Sequence, residues 1–253
     1  MNKNIIIALA FMSSFSAFSA EVDMDKIAKE RLEWTKKHFA EQGSPFPDGG
    51  IRILPEKKMS EYNTFKKIRA KNREDVKKFG YIKKSSPDIQ SLMSFKRIAK
   101  NQLSSGSTTQ NPASDSLRHH INEIEMAYSF HGVPENEVLE MLGVAPSVTY
   151  VAGEGWAGAI QFFTKSGIGT CSFRENNVTF SHGSTVLPQE DVTRDINNKA
   201  TIVTVSGEKK IGFEYSVDWF DETYFRELKC VNATYSPDTT SAVIKLAQAI
   251  DNN

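Results

Sequence analysis

The sequence predicts an α+β fold, in which an N-terminal cationic helical module precedes a C-terminal antiparallel β-meander with a terminal helix. Apolar residues recur at helical spacing through the first half of the chain, and from Ser147 onward they follow the shorter period of strands. The composition of the 253 residues, 39% hydrophobic and 25% charged, is typical of globular proteins. It excludes a collagen-like or wholly disordered chain.

The first 20 residues have the layout of a secretory signal peptide. Lys3 precedes an apolar run from Ile5 to Met12, and small residues follow. This run is shorter than the roughly 20 apolar residues that a spanning helix needs, and no later stretch is long enough either. We therefore predict cleavage after Ser19 or Ala20 and secretion to the periplasm or the exterior of a bacterium. An uncleaved membrane anchor is the alternative.

Residues 21–103 are predicted to be a basic helical region of three amphipathic helices. The first covers about Met24–Gln42, and the second has an apolar stripe over Met59–Phe79, with Gly80 at its end. The third covers Ser86–Leu103, where the serine is an N-cap and Pro87 takes the first helical position.

Residues 104–115 carry no large apolar side chain and are predicted to be a flexible linker. Residues 116–146 are predicted to be a helical pair, with helices at about Asp115–Phe130 and Glu135–Leu142. The pair has the rhythm of a helix-turn-helix DNA reader. However, the second helix carries three glutamates that would repel phosphates, which disfavours nucleic acid as a partner.

Residues 147–253 are predicted to form an α+β domain that contains a disulfide. Alternating apolar residues and short turns predict a strand meander, and Ser236-Pro237-Asp238 opens the last helix. The predicted strands are Ser147–Ala152, Ala157–Thr164, Gly169–Arg174, Val178–His182, Thr201–Ser206, Ile211–Val217 and Tyr224–Thr234.

Export supplies an interpretation of the two cysteines, Cys171 and Cys230. Thiols that lie close together in an oxidising compartment pair, so we predict one disulfide between them. The competing interpretation is a catalytic Cys171 with His182 or another histidine as its base.

The zero net charge hides a strongly basic segment. Residues 51–100 contain 15 Lys and Arg against five acids, so the rest of the chain carries the compensating negative charge. A cationic surface of this density predicts an anionic partner: a membrane surface, an acidic polymer, a nucleic acid or an acidic protein. Docking onto the protein's own acidic half is a further alternative. The predicted partner-binding residues are Lys66, Lys67, Arg69, Lys71, Arg73, Lys77 and Lys78.

The evidence for an enzyme is weaker. His119, His120 and Glu123 share one segment, but their spacing matches no zinc motif, and the glycine-dense stretch 153–158 lacks the lysine of a phosphate-binding loop. We predict no metal and no cofactor. The leading hypothesis is an exported accessory or binding protein, for example in a secretion or conjugation system. The alternative is a secreted hydrolase that uses the histidine-rich segment.

Overall fold

The computed structural model describes residues 23–41, 50–59, 62–104 and 116–253, apart from the side chains of residues 24, 39, 62 and 63. The predicted signal peptide lies outside these ranges, as does the predicted linker except for Ser104. The helices are α1 (Met24–Glu41), α2 (Tyr62–Phe79), α3 (Pro87–Met93), α4 (Phe95–Ser104), α5 (Val178–Ser181) and α6 (Pro237–Asp251). The strands are β1 (Gly50–Leu54), β2 (Ile82–Lys83), β3 (Glu140–Val151), β4 (Gly155–Lys165), β5 (Gly169–Asn177), β6 (Ser184–Pro188), β7 (Arg194–Ile196), β8 (Lys199–Glu208), β9 (Gly212–Phe220) and β10 (Tyr224–Asn232).

Eight of these strands form one mostly antiparallel sheet, which confirms the α+β prediction. Its order is β2-β8-β9-β10-β5-β4-β3, and β7 also pairs with β8. Two meanders, β3-β4-β5 and β8-β9-β10, are therefore joined through the antiparallel pair of β5 and β10. Strands β1 and β6 form a separate parallel pair.

The first face of the sheet packs against α6. Residues Phe213, Tyr215, Val217 and Trp219 alternate along β9 and are almost fully buried, as a strand with one apolar face requires. They form the main core together with residues of α6, namely Val243, Leu246, Ala247 and Ile250.

The second face is partly covered by α3 and α4. The helix predicted over 86–103 is interrupted at Ser94, and the break lets two apolar contacts form at different places on the sheet. Ile89 on α3 packs with Val231 of β10, and Phe95 on α4 stacks on Phe162 of β4 at a ring-centroid distance of 3.9 Å.

The predicted helical pair within residues 116–146 is wrong. Short 3₁₀ turns, Ile121–Glu123 and Glu135–Glu137, are the helical elements there, and β3 already begins at Glu140. Backbone bridges from Arg118 to Val144 and from residue 126 to the start of β4 hold the segment along the sheet. These tertiary contacts outweigh local helix propensity.

The predicted strand Val178–His182 is also wrong. Asn177 ends β5, and its side-chain oxygen accepts hydrogen bonds from the backbone N–H groups of Thr179 and Phe180. This N-cap starts the single helical turn α5.

The disulfide prediction is confirmed. Cys171 and Cys230 lie directly opposite each other on β5 and β10 and are bonded. In the described part of the chain, no helix has the length and apolar character needed to cross a membrane.

Candidate functional site

The seven cations predicted to bind a partner all lie on α2, in two different environments. Arg69 and Arg73 form ion pairs with Glu56. The five lysines extend into solvent, and we call them the lysine face: Lys66, Lys67, Lys71, Lys77 and Lys78.

Glu56 holds the middle of α2 against the β1–β6 pair. It lies in a 3₁₀ turn after β1 and is 6% exposed. Its carboxylate accepts a hydrogen bond from Arg73 Nη1 at 3.1 Å and lies 3.7 Å from Arg69 Nη1. Its backbone N–H donates to Glu190, just after β6, at 2.7 Å, and this bond lowers the pKa of Glu190.

An open groove lies between α2 and the second face of the sheet, and we call it the α2 groove. Helix α2 contacts strand β2 and the turn that contains Glu56, and it leaves the neighbouring sheet surface uncovered. Val76 on the helix wall is consequently 46% exposed. The floor is formed by Ile202 and Thr204 of β8 and by Glu214, Ser216 and Asp218 of β9.

Two carboxyl groups of the floor, those of Glu214 and Asp218, have raised pKa values. Asp218 lies directly opposite Glu227 of β10, and burial followed by repulsion from Glu227 raises the pKa of Asp218 to about 7. Glu227 is neutralised by Lys229 at 2.8 Å. Burial also raises the pKa of Glu214, and its buried Oε2 has no hydrogen-bond partner in the described part of the chain. Cationic side chains also line the groove, at Arg69, Arg73, Lys77 and Lys84. The floor at Glu214 and Asp218 itself offers acceptors that a group donating hydrogen bonds would satisfy.

A second charged cluster lies on the first face, where sequence reasoning did not anticipate it. Arg226 of β10 donates to fully buried Glu175 of β5 at 2.7 Å and to Asp221 at 2.8 Å. Burial would lower the pKa of Arg226, but Asp221 and Glu175 together raise it. Asp251 of α6 lies 3.7 Å from the same guanidinium.

Further hydrogen bonds tie this cluster into the core. Asp251 accepts from Lys199 at 2.7 Å and from Trp219 Nε1 at 2.9 Å, and these bonds lower its pKa against the opposing effect of burial. Glu175 accepts from the backbone N–H of His131 at 3.0 Å, with the imidazole Nδ1 at 3.1 Å. The cluster thus fastens α6 and the chain around His131 to the sheet, which is a structural task.

The histidines that motivated the hydrolase hypothesis lie elsewhere. His119 and His120 are exposed, and their ring centroids are 6.3 Å apart. Glu123 caps the short 3₁₀ turn, because its carboxylate accepts a hydrogen bond from the backbone N–H of His120 at 2.9 Å. Among the described residues, no group of three or more His, Cys, Asp or Glu side chains could hold a metal ion.

Two other candidate sites can be placed as well. A catalytic Cys171 is wrong, because its sulfur is bonded to Cys230. The glycine-dense stretch 153–158 begins in the turn between β3 and β4 and continues into β4, and Gly153 and Gly155 adopt positive φ. Gly155 also lies so close to the backbone of Glu125 that a Cβ would be 2.6 Å from its carbonyl oxygen, so glycine is required there.

In comparisons with known proteins, no family model, no curated protein and no solved structure matches this chain. A proposal about function must therefore be argued from surfaces and sites.

Proposed function

We propose that this protein is an exported accessory or binding protein, which contacts an anionic partner in the cell envelope or outside the cell through the lysine face of α2. The proposal is supported chiefly by one observation. Lys67, Lys71 and Lys77 are exposed and form no ion pair with any residue in the described ranges, although Arg69 and Arg73 on the same helix do.

The spacing of these lysines adds to the argument. Lys67 and Lys71 lie four positions apart, and Lys78 lies seven further on, so the three side chains share one side of the helix. Like charges four residues apart destabilise a helix by about 0.2–0.5 kcal/mol. An anionic partner would turn this repulsion into attraction.

The test uses the oxidised chain without its leader, residues 21–253, on immobilised heparin and on vesicles that contain anionic phospholipid. We expect retention at low salt and release at moderate salt, because exposed charges are screened beyond about 8 Å at physiological ionic strength. The variant with Lys67, Lys71, Lys77 and Lys78 all changed to Glu should lose retention on both supports.

A matched variant separates a local surface from net charge. Changing Lys26, Lys209, Lys210 and Lys245 to Glu alters the charge equally, and these exposed lysines belong to other segments than α2. This control should keep most of its retention. Equal loss in both variants, or no retention of the natural chain on either support, would contradict the proposal.

Export is a separate part of the proposal. The apolar leader and the Cys171–Cys230 disulfide support it, because disulfides persist in oxidising compartments. Mass measurement of the protein from its natural source should find a chain that begins at Ala20 or Glu21 and has no free thiol. A full-length, reduced chain in the cytosolic fraction would argue against export.

A further inference from the structure

Strand β8 has an unoccupied stretch of edge. One side of β8 pairs with β9 along Ala200–Glu208. Its other side pairs with β7 over Lys199–Thr201 and with β2 at Ser206–Gly207. Between these two partners, residues 202–205 have no strand beside them in the described ranges. Such an edge presents backbone N–H and C=O groups that another extended chain can pair with.

The open edge adjoins the α2 groove. Ile202, Val203 and Thr204 line the groove. On the opposite side lie residues of α2, namely Arg69, Asn72, Arg73, Val76 and Lys77. The groove encloses ≈ 640 Å³, enough space for a short peptide segment. Because successive side chains of a strand point to opposite faces, every second residue of a chain on this edge would face the groove floor.

The charge of the floor indicates which side chain fits there. Glu214 and Asp218 lie on β9, the strand next to β8, and their side chains share the face that lines the groove. The buried Oε2 of Glu214 has no hydrogen-bond partner in the described part of the chain, and Asp218 accepts a hydrogen bond from Ser216 at 3.1 Å. Lys229 and Lys84 already contribute positive charge near Glu214. An ammonium or guanidinium group of a bound segment would supply the missing hydrogen-bond donor.

We propose that the α2 groove binds an extended segment of a partner polypeptide, which adds a short strand to β8 and places a Lys or Arg side chain over Glu214 and Asp218. This site goes beyond the proposed function, because it uses the side of α2 that faces the sheet and shares only Lys77 with the lysine face. The two sites can therefore fail independently.

The experiment is a titration of the oxidised 21–253 chain, labelled with ¹⁵N, with the blocked peptide acetyl-Val-Lys-Val-Lys-Val-amide. We expect shifts of the backbone amides of Val203 and of residues 214–218. The peptide with Glu in place of Lys should not produce them. A Lys peptide with its central amide nitrogens methylated should also fail, since it cannot pair with the edge.

Two protein variants test the charge contribution. Glu214→Gln and Asp218→Asn should each weaken binding about tenfold, as expected for one member of a partly buried charge pair. Glu208→Gln, an exposed acid at the end of β8, should leave binding unchanged. Thermal unfolding checks that all variants are folded.

Binding should also weaken about tenfold between pH 8 and pH 6, because Asp218 becomes protonated near pH 7. Equal binding of the Glu peptide or of the methylated peptide would overturn the proposal, as would an absence of shifts at Val203. The triple variant Lys67→Glu/Lys71→Glu/Lys78→Glu leaves the groove-lining Lys77 unchanged and should bind the peptide normally, so failure of the lysine-face proposal leaves this one intact.

Discussion

Arg226 provides the sharpest test of how the sheet is stabilised. Its side chain is 8% exposed and neutralises Glu175 at 2.7 Å and Asp221 at 2.8 Å. Arg226→Met retains a long apolar side chain, so the variant removes the charge and the hydrogen bonds and creates little cavity. Asp221 keeps hydrogen bonds from the backbone N–H groups of residues 223 and 224. The variant therefore destabilises the fully buried carboxylate of Glu175 more than that of Asp221.

The expected loss follows from what Glu175 retains. Removing one partner of a buried ion pair costs about 3–5 kcal/mol, because the other charge stays buried without compensation. Glu175 would still accept from the backbone and imidazole of His131. We therefore expect a loss at the lower end, about 3 kcal/mol in the free energy of unfolding.

The assay is urea unfolding of the oxidised protein, followed by tryptophan fluorescence. Arg174→Met is the matched control, because Arg174 is 39% exposed and lies 3.9 Å from Glu227, so its loss should stay below about 1 kcal/mol. The double variant Glu175→Gln/Arg226→Met removes both charges and should recover about 2 kcal/mol. Near-equal losses for Arg226→Met and Arg174→Met, or no recovery in the double variant, would refute the reasoning.

Three further predictions concern stability. The pKa of Asp218, about 7, lies above its value in the unfolded chain, so ionisation of Asp218 destabilises the fold by at most about 4 kcal/mol as pH rises from about 4 to 7. In urea unfolding, Asp218→Asn should therefore be more stable than the natural chain at pH 8 and should lose that advantage near pH 4. Replacing Cys171 and Cys230 with Ala frees a loop of 59 residues and should cost about 4 kcal/mol, and a loss below about 1 kcal/mol would contradict this expectation. Gly169→Ala should lower the melting temperature far more than Gly167→Ala. A Cβ at residue 169 would lie 2.2 Å from the backbone oxygen of Val231, whereas a Cβ at residue 167 would have no atom within 4 Å. Equal shifts in melting temperature would contradict the clash.

The sequence predicted those elements that local signals define. Ser86 and Ser236 cap the helices that begin at Pro87 and Pro237. Their Oγ atoms accept hydrogen bonds from the backbone N–H groups of Asp88 and Asp238, respectively. The cysteine pair also carries information about the register of β5 against β10. Cys171 lies opposite Cys230 in antiparallel strands. Four residues later on β5 is Glu175, and four residues earlier on β10 is Arg226, so these two residues also lie opposite each other. The buried ion pair was thus within reach of the sequence.

Other features depend on contacts between residues distant in the chain. The apolar residues Leu117 and Ile124 fit a helix by their spacing, yet they are buried beside β3 and β4 through backbone bridges that no local pattern encodes. The α2 groove was equally unpredictable. It exists because α2 contacts the sheet mainly at its edge strand β2 and otherwise contacts the turn at Glu56, which the apolar stripe on α2 did not suggest.

The attachment of α2 to the body of the protein should accordingly depend on Glu56. Glu56→Gln keeps the shape of the side chain but removes the charge that faces Arg69 and Arg73, and Arg73 is left with Asp191 at 4.0 Å. Local opening of α2 should become easier by about 1–2 kcal/mol, which corresponds to about tenfold faster trypsin cleavage at its lysines. Glu74→Gln is the control, because Glu74 is exposed on the same helix and forms no ion pair with any described residue. If both variants are cleaved at the rate of the natural chain, contacts other than the Glu56 ion pairs hold α2 in place, and the α2 groove has a wall that does not depend on charge.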